Sequence, residues 1–252
     1  TYVKCNLIRL HVVYVTCLSY YYCNCSSAFT PPRGLKMTNV VDSSLIAVLT
    51  GDIVKSRQIS QEGYDDLLYS LNNVLSYVSE QHIDNGFQLM RGDSFQLVVH
   101  DAVNAFKYAL LIRLALKERD DDFDCRVSIG LGNNDVIRHQ IGNSTGDAFT
   151  LSGMGLDELK NRCLQITSLD NDFNQHVGLL VDYADHQLSQ ITQRQAAIVQ
   201  LKLRQPELIQ QQIANLLSAQ RVSISRSLKT ARFDLLEQNI SYIETQIKAL
   251  IQ

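Results

Sequence analysis

Phe87-Gln-Leu-Met-Arg-Gly-Asp-Ser-Phe-Gln-Leu-Val-Val99 is the stretch on which the fold turns. Two short runs, Phe87-Gln-Leu-Met90 and Phe95-Gln-Leu-Val-Val99, flank Arg91-Gly92-Asp93-Ser94. Strand-length apolar runs around a Gly-Asp pair predict a β-hairpin. Upstream, Ser44-Leu-Ile-Ala-Val-Leu49 is an apolar run ended by Thr50-Gly51-Asp52, the pattern of a buried strand. Between them Leu67, Leu68, Leu71, Val74, Leu75 and Val78 recur at three and four residues, which predicts an amphipathic helix.

Downstream, Asp101 stands where a helix cap is expected, before Val103, Phe106, Leu110, Leu111 and Leu114 on one helical face. Arg119–Asp124 reads as a solvated acidic turn. Cys125-Arg-Val-Ser-Ile-Gly-Leu131 alternates as a strand does, and Gly130 and Gly132 permit close backbone approach. A helix is expected from Gly146-Asp147 to about Asn161, then a strand at Leu164–Thr167 pairing back into the sheet. The order β-α-β-β-α-β predicts an α+β fold, ferredoxin-like (split βαβ), with helices on one face of the sheet. Residues 37–170 form that domain. Phe173, Val177, Leu180, Val181, Ala184, Leu188 and Ile191 predict a helix at 171–190 that leaves it.

Residues 191–252 predict an all-α domain. Thr192 with Gln195 makes a capping box, and Pro206 suits the first turn of a helix. Ile209, Ile213, Ala214 and Leu217 are the expected buried face of that helix. Ile213, Leu217, Ile224 and Leu228, with small Ala214, have the spacing of a helix-turn-helix, and Ser218 stands where glycine is usual in its turn. The second helix would present Gln220, Arg221, Ser223, Arg226 and Lys229, groups suited to base edges and phosphates. A last helix, 233–250, carries an apolar stripe of Leu236, Ile240, Ile243, Ile247 and Leu250. It could complete the domain or pair two chains as a homodimer.

The net charge of −3 conceals three compositions. Residues 1–36 hold four basic residues and no acid. Residues 37–186 hold 11 basic against 22 acidic residues, and 187–252 hold 8 against 4. An acidic domain followed by a basic helical one is thus expected. With 45% hydrophobic and 19% charged residues, a disordered or fibrous chain is excluded. The first 36 residues are expected to be a leader: translated upstream sequence ahead of Met37, or a disordered segment, with a targeting peptide as the alternative. The apolar run Leu10–Tyr22 is too short to span a bilayer, so no membrane partner is expected. Without the leader only Cys125 and Cys163 remain, which fits a reducing bacterial cytoplasm.

Asp52 ends the first strand and Asp93 tips the hairpin. Side by side, two carboxylates with the Ile53 carbonyl would suit Mg²⁺ holding a nucleotide. The segments LTGDIVKSR, GFQLMRGDSFQLVV, RVSIGLG and STGDAFTLS, in this order, resemble the SatD family. Less closely they resemble the palm domain of class III nucleotidyl cyclases and GGDEF proteins. The resemblance implies a nucleotidyl-cyclase-like fold, with Asp52 and Asp93 at the metal positions and Ile53, Ser56, Arg57 and Gly92 at a nucleotide. The helix after Gly146-Asp147 lacks the Asn and Arg that stabilise a cyclase transition state, and the hairpin has Arg91 and Ser94 where a diguanylate cyclase has Gly and Glu. Cyclase turnover is therefore not expected. The expected function is a cytoplasmic regulator that couples a ligand-sensing domain, nucleotide with Mg²⁺, to DNA binding. A metal-dependent nucleotide-processing enzyme and a protein-interaction adaptor are the alternatives.

Overall fold

Ile46–Ile53 (β1) is the central strand of the five-stranded sheet, and it is buried along nearly its whole length. The computed structural model describes residues 45–90, 93–138 and 140–251. The expected leader, 1–36, and Arg91 and Gly92 of the hairpin turn lie outside the described residues. After β1 come α1 (Gln61–Ser79), β2 (Gly86–Leu89), β3 (Ser94–Val99), α2 (Ala105–Lys117) and β4 (Cys125–Gly132). Then follow β5 (Asn134–Val136), β6 (Thr145–Gly146), α3 (Asp147–Glu158), β7 (Leu164–Ser168) and α4 (Asn171–Ser189). The chain ends in α5 (Gln193–Arg204), α6 (Gln210–Leu216), α7 (Arg221–Thr230) and α8 (Phe233–Ile251). The fold is α+β.

The sheet order is β2-β3-β1-β4-β7. β1 is antiparallel to both β3 and β4, β2 to β3, and only β7 runs parallel to its neighbour, β4. Alternation along β1 sorts its side chains to two faces. Ala47, Leu49 and Ile53 join Leu67, Leu71 and Leu75 of α1 and Phe106 of α2 in the main core. Each such leucine, fully buried, contributes about 1.5–3 kcal/mol. Ile46 and Val48 face the other way, toward Ala148 and Phe149. The expectation of helices on one face therefore holds for α1 and α2 and fails for α3.

Glycine lets α3 sit there. A methyl group at Gly130 would lie 2.2 Å from the Ala148 carbonyl oxygen, and one at Gly155 would lie 2.3 Å from Ser128 Oγ. Helix and strand thus touch directly, and Thr50 Oγ1 bonds Ser152 Oγ at 2.9 Å across the join. The segment between β4 and α3 contains the small β5–β6 ladder.

Helix α2 departs from the amphipathic reading. Buried residues occupy its whole circumference, Arg113 and Lys117 included, as expected for a helix enclosed by others. Arg113 is wholly buried and donates to Asp124 at 2.9 and 2.7 Å and to Asp185 of α4 at 2.6 Å. Asp185 also accepts from the Cys163 amide at 2.9 Å. Burial opposes the Arg113 charge, but Asp124 and Asp185 more than offset it and hold the guanidinium protonated. The supposedly solvated turn thus supplies a buried ion pair through Asp124. Asp101 opens a 3-10 turn at 102–104 rather than capping α2, which starts at Ala105.

Nor does α4 leave the domain. Its Phe173, Val177, Val181, Ala184 and Leu188 belong to the main core, together with Ala196, Val199 and Leu203 of α5. Of the α8 stripe, Leu236, Ile240, Ile243 and Ile247 are buried in the same core with Phe233, and Leu250 packs against it, so the stripe is used within the chain. Among the described residues no helix is long and apolar enough to cross a membrane.

Candidate functional site

Two places gather the residues singled out in the sequence. The first is the end of β1. Asp52 faces Ser94 of β3 and Arg126 of β4 in register, and the Ile53 amide donates to the Asp93 carbonyl at 3.0 Å. The strand ends therefore bring Asp52 and Asp93 to the same edge, as their positions suggested. Their side chains take different partners. Arg126 Nε donates to Asp52 Oδ1 at 2.8 Å, and its Nη2 pairs with Oδ2. Those hydrogen bonds hold the Arg126 guanidinium above its usual range. Ser56 Oγ donates to Asp93 Oδ2. Ile53 is a core residue, and Arg57 is exposed in a 3-10 turn that follows Lys55, whose φ of 53° is left-handed.

Arg126 is the residue that sequence reasoning missed here. Its signal was register: an arginine early in an antiparallel neighbour falls opposite an aspartate at the end of β1 only once the pairing is known. The donor set bears on Mg²⁺, which seeks carboxylate charge and keeps much of its own water. With both Asp52 oxygens on a guanidinium, that charge is already neutralised, so the arrangement does not fit a cation bridging Asp52 and Asp93. Among the described residues no group of three or more His, Cys, Asp or Glu is placed to hold a metal ion.

The second place is α7. Thr192 caps α5 through the expected box, with the Thr192 amide donating to Gln195 Oε1 at 3.0 Å. Ile198 of α5, Ile213 and Ala214 of α6 and Ile224 of α7 form a small separate core, flanked by Leu201, Leu208, Ala219 and Leu228. Small Ala214 is fully buried where the helices meet, and the Ala219 amide donates to its carbonyl at 2.8 Å. Between α6 and α7, Ser218 has φ 48°, a left-handed conformation that glycine adopts without strain. Three expectations fail. Ile209 and Leu217 are exposed, because α6 starts only at Gln210 and ends at Leu216. Pro206 lies ahead of α6, its carbonyl accepting from Lys202 Nζ.

Helix α7 spans ten residues with Gln220 at its N-cap. Gln220, Arg221, Arg226 and Lys229 are exposed as expected, whereas Ser223 is half-buried. Ser223 and Ser227, four apart, flank the Ile224 side that packs inward. Ser225 takes the outward place instead. Arg221, Val222, Ser225, Arg226 and Lys229 line one shallow groove of about 410 Å³. No salt bridge among the described residues involves Arg221, Arg226 or Lys229. The groove is lined by no acidic side chain.

Other chemistry is sparse. Burial pushes the Cys125 and Cys163 thiols up, away from the reactive thiolate. The half-buried Arg204 guanidinium lies 4.2 Å from the centre of the Tyr77 ring, which locks α5 to α1. No model of a known protein family matches the chain, and no curated protein matches it.

Proposed function

We propose that the protein is a DNA-binding regulator in which α6 and α7 form a helix-turn-helix and α7 is the recognition helix. The α+β part is its sensing platform. The observation that carries this reading is the acid-free outward face of α7, where three cations stand in one groove without carboxylate partners. In the sheet part, by contrast, Arg113, Arg119, Arg126 and Arg162 are each paired with an aspartate. A cationic helix face held outward by a three-helix core is what a major groove accepts. The left-handed Ser218 turn and buried Ala214 support the same supersecondary reading.

For the platform, the order β2-β3-β1-β4 with α1 and α2 on one face supports a ferredoxin-like, split-βαβ arrangement. Its similarity to SatD and cyclase palm sequences makes a nucleotide the class of ligand to test at the β1 edge, around Ser56 and Arg57. Platform and reader are physically joined. The Gln193 side chain donates to the Arg119 carbonyl at 2.9 Å, and Gln187 of α4 donates to the Ala231 carbonyl, just after α7, at 2.7 Å. A ligand that moves α4 therefore has a direct route to α7.

The test is a gel shift of mixed-sequence duplex DNA across a salt series. Retention that falls steeply with salt is expected, because each neutralised phosphate releases counterions. No retention at low salt, or retention unchanged by Arg226→Ala with Lys229→Ala, would sink the reading.

A further inference from the structure

We infer that Val222 is a specificity residue that reads the methyl group of thymine in the major groove, one helical turn from a guanine read by Arg226. This rests on the reading of α7 as a recognition helix and goes beyond it by naming the bases.

The apolar residues of α7 divide sharply. Ile224 is fully buried and Leu228 packs against the same small core, so they hold the helix in place. Val222 is 67% exposed and stands in the outward groove between cations. It has no packing role there, and a β-branched residue is not one that helix propensity would select for an exposed position. Val222 has no donor or acceptor to read a base edge by hydrogen bonding. The one major-groove feature an aliphatic side chain can select is the C5 methyl of thymine, and Arg is suited to the O6 and N7 of guanine.

The spacing fits. Val222 and Arg226 are four residues apart, which is about 6 Å along a helix axis. Base pairs stack at about 3.4 Å, so the two side chains reach positions about two base pairs apart. Ser225, beside Arg226, can donate or accept between them, and Arg221 and Lys229 at the two ends of the stripe suit phosphates. The occupant is double-stranded DNA: three cations and no acid line the groove, complementary to phosphates, on the helix that a helix-turn-helix presents to the major groove.

The experiment has two stages on the full chain. Selection from random duplexes should enrich sites with thymine and guanine about two base pairs apart. In the best site, the thymine is then replaced by deoxyuridine, which removes only the methyl. The wild type should lose about fourfold in affinity for each thymine it reads, the worth of one buried methyl group. Val222→Ala, which lacks the two outer methyl groups, should lose clearly less than the wild type on the same replacement. If the replacement weakens wild type and Val222→Ala alike, or if selection enriches no thymine, the assignment of Val222 is wrong while DNA binding stands. If the wild type retains no duplex at low salt, the recognition-helix reading itself falls.

Discussion

Two arginines beside the sheet and the three cations of the α7 groove are treated in opposite ways. Around the sheet, Arg113 is enclosed with Asp124 and Asp185, and Arg126 grips Asp52 at the strand end. On α7, Arg221, Arg226 and Lys229 face outward with no carboxylate among the residues that line their groove. A charge satisfied inside the fold reports on stability. A charge held outward without a counter-charge reports on something outside the chain.

The sharpest way to break this contrast is at Arg113. Arg113→Met removes the guanidinium and leaves Asp124 and Asp185 poorly compensated beside the core. Among the described residues Lys117, 3.6 Å from Asp124, remains near. The expected loss is about 3–5 kcal/mol, a large part of a typical domain's stability. Urea denaturation measures it, and a loss below about 1 kcal/mol would mean the network is not structural. Arg113→Met combined with Asp185→Asn should lose less than the two single losses together, because one stranded carboxylate is gone.

At α7 the expectation reverses. Arg226→Ala with Lys229→Ala should leave urea stability within about 0.5 kcal/mol of wild type, since both side chains are exposed. DNA affinity should fall by about 1–3 kcal/mol if Arg226 meets a base, and the salt slope should shrink by about one unit for the phosphate that Lys229 no longer neutralises. If stability falls instead and DNA retention is untouched, the two regions have been assigned the wrong way round.

These contrasts also mark how far the sequence could be read. Strands β1 and β3 announce themselves as short apolar runs because both their faces are covered, β4 by alternation, α1 and α4 by apolar residues three and four apart, and α5 by its capping box. Helix α2 is legible only in part: its apolar face predicts a helix, but nothing local shows that it is enclosed on all sides with Arg113 the most buried charge described. The side of the sheet taken by α3 is likewise not a local property. It follows from Gly130 and Gly155 permitting close approach; Gly130 stands out in its strand, but the helix it admits does not. The basic stripe of α7 was legible because helical spacing alone sorts outward residues. Ser223 is misplaced, with Ser225 two positions on facing outward, because the phase of a ten-residue helix is fixed by packing of Ile224 and not by its polar residues.

Asp52 offers a smaller test of the same contrast. The pair with Arg126 is partly exposed, with side-chain accessibilities of 22% and 35%, so Asp52→Asn should cost only about 0.5–1 kcal/mol. Because Arg126 occupies both carboxylate oxygens, Mg²⁺ should leave the melting temperature of wild type and Asp52→Asn unchanged. A rise with Mg²⁺ in the wild type that Asp52→Asn abolishes would move this edge from the structural side of the comparison to the ligand-binding side.

The smallest effect belongs to Glu244, a carboxylate that lies between the two cases. It sits half-buried on α8, and desolvation raises its pKa above the ordinary 4.5, with Asp101 adding to the rise while Lys107 and Lys248 pull it down. A carboxyl whose folded pKa is raised favours the fold only while protonated. That contribution is complete below the ordinary value and is lost as pH rises through the folded one. At neutral pH the ionised Glu244 is therefore a mild burden, and Glu244→Gln should stabilise the chain. Solvent screening limits the gain to about 0.5 kcal/mol, which is about 1–2 °C in melting temperature at this chain length. The gain should disappear as pH falls below 4.5, where wild type carries the proton in both states. A gain that persists at low pH would point to packing by the glutamine amide. A loss at neutral pH would mean that Lys107 and Lys248 compensate the carboxylate fully, which would place Glu244 with the paired charges of the sheet.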